Sequence, residues 1–305
     1  MKTLTMLAAA TAALLASGAG AQQKLNVVAT TPDLGALALE IGGTAVDVKV
    51  LAKPTEDPHF VDAKPSLIVT LNRADVLIDG GAELELGWLP ALLQSARNTK
   101  IAVGAPGRIS ASRGIQMMDV PATLDRSRGD VHALGNPHFL LDPANVKIVV
   151  AQIAQHFAQV APASASVFQA NLARFNAALD AKIPQWQAQL APHRGGKIVT
   201  YHNDFIYLAR LYGLQVVATL EPKPGIAPSP AHVAEVIAAM KSAGARVILV
   251  QPYQNRRTAE TVARQTDAQV LLVPQQPGVV ANTATYIQLM DHTITTLAAA
   301  LGAAR

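Results

Sequence analysis

The chain has 305 residues, half of them apolar and only 15% charged, with a formal net charge of +4 at neutral pH and no cysteine. Such a composition excludes a disordered chain, and the lack of thiols excludes a disulfide framework or a lipid-attachment cysteine. The small, scattered positive charge excludes a nucleic-acid binder, because basic residues crowd only at Arg108, Arg113, Arg126 and Arg128, in a glycine-containing segment that reads as a solvated loop with no aromatic side chains to stack on bases.

The first 21 residues read as an export signal. Lys2 gives a positive start, residues 4–15 are apolar, and Ala19-Gly20-Ala21 offers small residues for cleavage, so the mature chain is expected to begin near Gln22. The apolar run falls short of the roughly 20 residues needed to span a bilayer. A soluble periplasmic protein is expected.

After the signal, short β-branched runs alternate with helical patterns, which predicts an α/β fold with parallel sheets. Strands are expected at residues 25–29, 46–51, 76–79 and 100–103, with helices at 33–41, 65–72, 86–96 and 143–157. A second series of strands is expected at 197–200, 216–219, 247–250 and 270–273, with helices between them. From 163 to 191 almost no glycine occurs, and Leu172, Phe175, Leu179, Ile183, Trp186 and Leu190 recur every three or four residues, which predicts one long helix with Pro184 as a kink. The expected organisation is a first α/β lobe at 22–160, a linking helix at 161–194 and a second α/β lobe at 195–305. A helical linker of this kind resists wide hinge motion.

Three histidines sit in short segments beside these elements. His59 ends Asp57-Pro58-His59 after the second strand, His138 ends Asn136-Pro137-His138 ahead of the helix that closes the first lobe, and His202 follows the first strand of the second lobe. Proline fixes its own φ and drives the preceding residue toward extended backbone, so two of the imidazoles are presented from stiffened chain. Open α/β sheets bind ligands outside the carboxyl ends of their strands, and all three positions suit that edge. Three imidazoles converging there would suit zinc.

These segments, with Lys64-Pro65-Ser66, Leu141-Asp142-Pro143 and Tyr201-His202-Asn203-Asp204-Phe205, resemble the metal-binding solute-binding proteins of zinc and manganese ABC importers over essentially the whole mature chain. The resemblance implies two similar α/β lobes joined by a rigid backbone helix, a metal in the cleft between them bound by His59, His138 and His202, and a monomer that delivers zinc ion, as cargo, to an inner-membrane permease. In many relatives a carboxylate before the last helix completes the site; the matching segment here carries Gln275. The fourth position is then open to water, Glu56, Asp57, Glu221 or Gln275. Nitrogen-rich sites favour zinc, oxygen-rich ones manganese, and copper would bind imidazoles at least as tightly as zinc.

Of the other histidines, His132 lies six residues before His138 in a loop, from which it could capture metal and pass it inward. His156, His193, His232 and His292 fall within or beside helical patterns and are expected to be structural or surface residues, His232 standing nearest the cleft rim. A different class of function, a zinc hydrolase with three histidines and an open position, would need a base such as Asp204 or Glu56. No His-Glu-x-x-His motif occurs in the chain.

Overall fold

The computed structural model describes residues 24–122 and 132–303. The export signal, Arg126 and Arg128 therefore lie outside the described residues. The first lobe contains strands β1 (Leu25–Ala29), β2 (Val46–Val50), β3 (Val76–Asp79) and β4 (Arg108–Ser110), with helices α1 (Pro32–Gly42), α2 (Pro65–Asn72), α3 (Leu89–Ala96) and α4 (Pro143–Val160). Helix α5 (Ala165–Leu190) leads to the second lobe. That lobe has strands β5 (Lys197–Thr200), β6 (Gln215–Thr219), β7 (Val247–Val250) and β8 (Gln269–Leu272), with helices α6 (Ile206–Tyr212), α7 (Pro230–Ala243), α8 (Arg256–Thr266) and α9 (Tyr286–Ala303). Among the described residues no helix is long and apolar enough to cross a membrane.

The two sheets are parallel and share one topology, β2-β1-β3-β4 and β6-β5-β7-β8. Strand side chains alternate between faces, and in the central strands β1, β3, β5 and β7 both faces are largely dry. Val27 and Ala29 join the core shared with α1 and α4, while Val28 between them packs under α2 and α3 with Leu77 and Trp88. In the second lobe Val247 and Leu249 face that same shared core and Ile248 and Val250 face α7 and α8. One apolar core therefore runs without a break through both lobes. The β5–β6 register shifts between Ile198 and Val199, which pair with Val216 and Ala218 and leave Val217 without a counterpart.

Proline marks where most helices begin. Pro32, Pro65, Pro90, Pro143 and Pro230 all stand in the first two positions of a helix, where a missing N–H costs nothing. Asp142 and Ser229 cap α4 and α7 by accepting from the backbone N–H of Ala144 and His232. Helix α5 is one continuous helix that runs through Pro184, with Phe168, Phe175, Leu179, Trp186 and Leu190 buried along one stripe. It packs on α1 and α4 at one end and α9 at the other. Trp186 Nε1 and Lys182 Nζ donate to the two carboxylate oxygens of Asp291 on α9, at 2.8 and 2.6 Å, and Asn171 Nδ2 donates to Ile41 O on α1.

The strand expected at residues 100–103 does not form. Asn98 folds this stretch into a 3-10 turn, accepting from Lys100 N through Oδ1 and donating to the carbonyls of Leu71 and Ala74 through Nδ2, and Val103 is 92% exposed. The fourth strand comes later, at β4. Arg108, expected in a solvated loop, is its first residue, and its Nε reaches the buried Asp79 carboxylate at 2.6 Å. The helix expected to start at 86 starts at Leu89, because Ala82 and Glu83, both at positive φ, begin a run of turns that ends at Trp88.

Candidate metal centre

Each of the three histidines is placed by contacts within a few residues. In the His59 loop, Asp57 Oδ1 accepts from His59 N at 3.0 Å and contacts His59 Nδ1 at 2.7 Å, so one carboxylate fixes both backbone and ring. Trp88, itself buried, donates its indole N–H to Pro58 O at 2.9 Å and ties the loop to the first lobe. His138 follows the same logic, with Asn136 Oδ1 accepting from His138 N at 3.0 Å. Asn136 Nδ2 reaches across to Asn203 O at 2.6 Å, beside His202 in the other lobe. His202 extends from β5, and Glu221, extending from β6, meets its Nδ1 at 2.7 Å.

The structure brings these imidazoles together. One ligand nitrogen from each of His59, His138 and His202 lies within 4.8 Å of the other two, and among the described residues no other group of metal-ligating side chains is found. The ring centroids are 5.2 to 5.4 Å apart. His138 is buried, and the side chains of His59 and His202 are 9% and 12% exposed. A carboxylate against Nδ1 holds the proton there and leaves the lone pair on Nε2, the usual arrangement behind metal-bound imidazoles. The Nε2 atoms of His59 and His138 are buried with no hydrogen-bond partner.

The residues considered for the fourth position are otherwise engaged. Asp57 and Glu221 stand behind the rings. Glu221 Oε2 also accepts from Gly225 N, Glu56 Oε2 accepts from Lys53 N, and Gln275 donates to Asp204 O while its side chain hydrogen-bonds to His138. Asp204 is fully buried, with Oδ2 accepting from Gln251 Nε2 at 2.5 Å, and burial raises its pKa to about 6. His132 lies beside His59, ring centroids 5.2 Å apart. Of the remaining histidines, His156 bonds Pro106 O and His232 bonds Glu235 and Thr219 O, away from the cluster.

Electrostatics divide the cluster. Burial, with the neighbouring imidazoles His202, His59 and His132 adding to it, holds His138 well below the usual histidine range. It is neutral at physiological pH with its lone pair free. Burial acts in the same direction on His202, but the hydrogen bond to Glu221 and the charges of Asp204, Glu221 and Asp57 outweigh it and raise the pKa. Asp57 is lowered, since the bond to His59 and its charge overcome the effect of burial. The cluster can therefore take a cation at the cost of displacing a proton from the His202 side.

Sequence reasoning missed the residues that hold the cluster in place. Trp88 and Tyr207 are such supports, and their contacts span 30 to 89 residues of sequence. Asp57 and Asn136, each two residues before its histidine, carried a local signal, since an Asp or Asn at that spacing commonly accepts from the backbone.

The family model for the periplasmic zinc-uptake complex component A matches residues 27–300. The iron-binding protein YfeA of Yersinia pestis is 26% identical over 286 residues, covering 92% of this chain and 87% of that protein. The zinc-binding lipoprotein AdcA of Streptococcus pneumoniae is 24% identical over 87% of this chain, which spans about half, 53%, of AdcA. The crystal structure of ZnuA superposes with a TM-score of 0.76 at 23% identity, over 91% of this chain and 99% of that one, a likeness of fold. Because the matched span takes in both sheets, the helix between them and every histidine of the cluster, the chain belongs to the zinc-uptake complex component A family, the metal-binding solute-binding proteins of ABC importers.

Proposed function

We propose that this protein captures zinc ion in the periplasm through His59, His138 and His202 and hands it to the permease of an ABC importer. The observation that carries this reading is the donor set: three imidazole nitrogens converge, and no carboxylate oxygen joins them among the described residues. Nitrogen donors suit zinc, whereas manganese favours carboxylate and water oxygen. Relatives named for iron and manganese, YfeA and the PsaA of Streptococcus anginosus at 22% identity, make the choice of metal a property of each site rather than of the fold.

Capture proceeds on preoriented rings. Asp57 and Glu221 keep the Nδ1 protons and aim the Nε2 lone pairs, so little ring freedom is lost on binding. Zinc–imidazole bonds of about 2.0–2.1 Å in a tetrahedron put donor nitrogens about 3.3 Å apart. The three rings therefore close in on the ion from their present separation of up to 4.8 Å. The unbroken core and α5 leave that adjustment to loops rather than to lobes.

Chelator-competition titration of the metal-free protein with zinc, manganese, iron(II) and copper(II) tests the reading. The expected result is tight one-to-one zinc binding, weakened by each of His59→Ala, His138→Ala and His202→Ala, with manganese far weaker. Zinc binding indifferent to all three substitutions would overturn it. Metal at about one hundred times its dissociation constant should also stabilise the fold by about 2.7 kcal/mol, visible as a raised melting temperature.

A further inference from the structure

We propose that His132 is the fourth nitrogen ligand of the loaded site, filling the position that Gln275 leaves without a carboxylate. This rests on the zinc-capture reading above. His132 stands 5.2 Å from His59 between ring centroids, the spacing at which the three clustered rings stand from one another. Its donor atom is not within the 4.8 Å set, so closure requires the ring to move inward as the ion draws the nitrogens together.

The free nitrogens point to this role. A buried polar atom without a partner forfeits its hydration with nothing in return, and native proteins hold few of them. Three occur here on three neighbouring rings, the Nε2 atoms of His59, His132 and His138. In each ring the other nitrogen has an acceptor available: the Asp57 carboxylate for His59, the backbone carbonyl of Glu83 for His132 and the Gln275 side chain for His138. His132 thus carries the same arrangement as the clustered rings, one nitrogen held and Nε2 left over.

The chain around His132 is built to hold it there. Gly81, Ala82 and Glu83 have successive positive φ values of 71°, 49° and 66°, an arrangement that two non-glycine residues rarely adopt. This turn delivers Glu83, whose Oε2 accepts from Ala133 N at 2.6 Å next to His132. The base of the segment is closed by Asn136 N donating to Met118 O at 2.8 Å. Tyr207 on α6 clips both ends, its hydroxyl donating to Asn136 O at 2.8 Å and accepting from Met118 N at 2.9 Å. Gly135, at φ 103°, is required in the same stretch, since a Cβ there would lie 2.7 Å from Met117 Cβ. The stretch that follows His132 is therefore tied at Asn136 to the helix that follows His202, while the His132 ring rests beside His59.

The test uses the full-length protein and its His132→Ala and His132→Gln variants, with three readouts. Chelator competition measures zinc affinity, and cobalt(II), substituted for zinc, reports coordination through its visible d–d absorption. X-ray absorption of the zinc-loaded forms counts the nitrogen neighbours. The expected result is four nitrogen donors in the wild type, a 10- to 100-fold loss of zinc affinity in both variants, and a cobalt spectrum altered in shape as an oxygen replaces a nitrogen. Wild-type and variant proteins with the same spectrum and affinities within threefold would overturn the role of His132 while leaving the three-histidine reading intact. A wild type that takes up no zinc would overturn both.

Discussion

Replacing Glu221 by glutamine isolates the contribution of the carboxylate behind His202. Glu221→Gln keeps an acceptor oxygen of nearly the same reach but removes the charge that meets His202 Nδ1 at 2.7 Å. A charge-assisted hydrogen bond is worth about 1.5–3 kcal/mol and a neutral one about 0.5–1.5, so the loss is about 1–1.5 kcal/mol. Zinc affinity at pH 7.5 should fall about tenfold, the lower end of what outer partners of metal-bound histidines contribute. The pH dependence carries the sharper test. In the wild type the His202 pKa is raised, with Glu221 outweighing burial, so protons compete with the ion from above the ordinary value of 6.5 downward. In the variant that competition is weaker. The affinity ratio between the two proteins should therefore shrink as the pH falls from 7.5 to 6. The metal-free proteins give the matching sign: a raised histidine pKa stabilises the fold fully below the unfolded value and loses that contribution as pH rises through the folded value. The variant should be the less stable at pH 6, by more than at pH 8. Competition titrations and melting curves across this range provide both readings, and an affinity ratio that stays constant or grows toward acid would refute the argument.

Other outcomes follow from the same site. Burial, with His59 and His202 adding to it, lowers His132 to about 4, so the folded state resists a proton that the unfolded chain accepts near 6.5. Its contribution to stability is present above that value and is lost as pH falls toward 4, by at most about 1.4 kcal/mol per pH unit before solvent screening. Metal-free His132→Ala should thus gain on the wild type in melting temperature as pH drops from 6.5 to 4.5; parallel curves would count against it. Trp88→Phe removes the donor to Pro58 O and should cost about 1–3 kcal/mol in chemical denaturation. The same change loosens the His59 loop, so zinc affinity should fall several-fold, and an unchanged affinity would show that the loop is held by other means.

Much of the architecture was legible because its signals are local. Strand alternation, helix-starting prolines and the stripe on α5 each occupy a short window, and the two Pro-His pairs announced ring positions that the fold then brings together. The false strand at residues 100–103 shows the limit. Ile101 and Val103 alternate as a strand would, but Asn98 captures the turn, and the true β4 carries a single buried apolar residue, Ile109, flanked by Arg108 and Ser110. Arg108 looked like a surface charge because its partner, Asp79, lies 29 residues away. Glu221 was likewise one of several possible ligands in the sequence, since nothing near residue 202 foretells a carboxylate 19 residues later behind the ring.

That interval of 19 has an origin in the unpaired Val217. At the start of the β5–β6 ladder Lys197 pairs with Gln215, an offset of 215 − 197 = 18; after the irregularity Thr200 pairs with Thr219, an offset of 19. Carried two residues further, the second offset sets Glu221 opposite His202, while the first would have set Leu220 there. A one-residue slip also sends every later side chain to the other face of a strand. The slip in pairing at Val217, in the middle of a strand and remote from any ligand, thus decides whether the imidazole has an anion or a leucine at its back. Closing that slip with every residue kept would edit the chemistry of the site without altering one of its side chains.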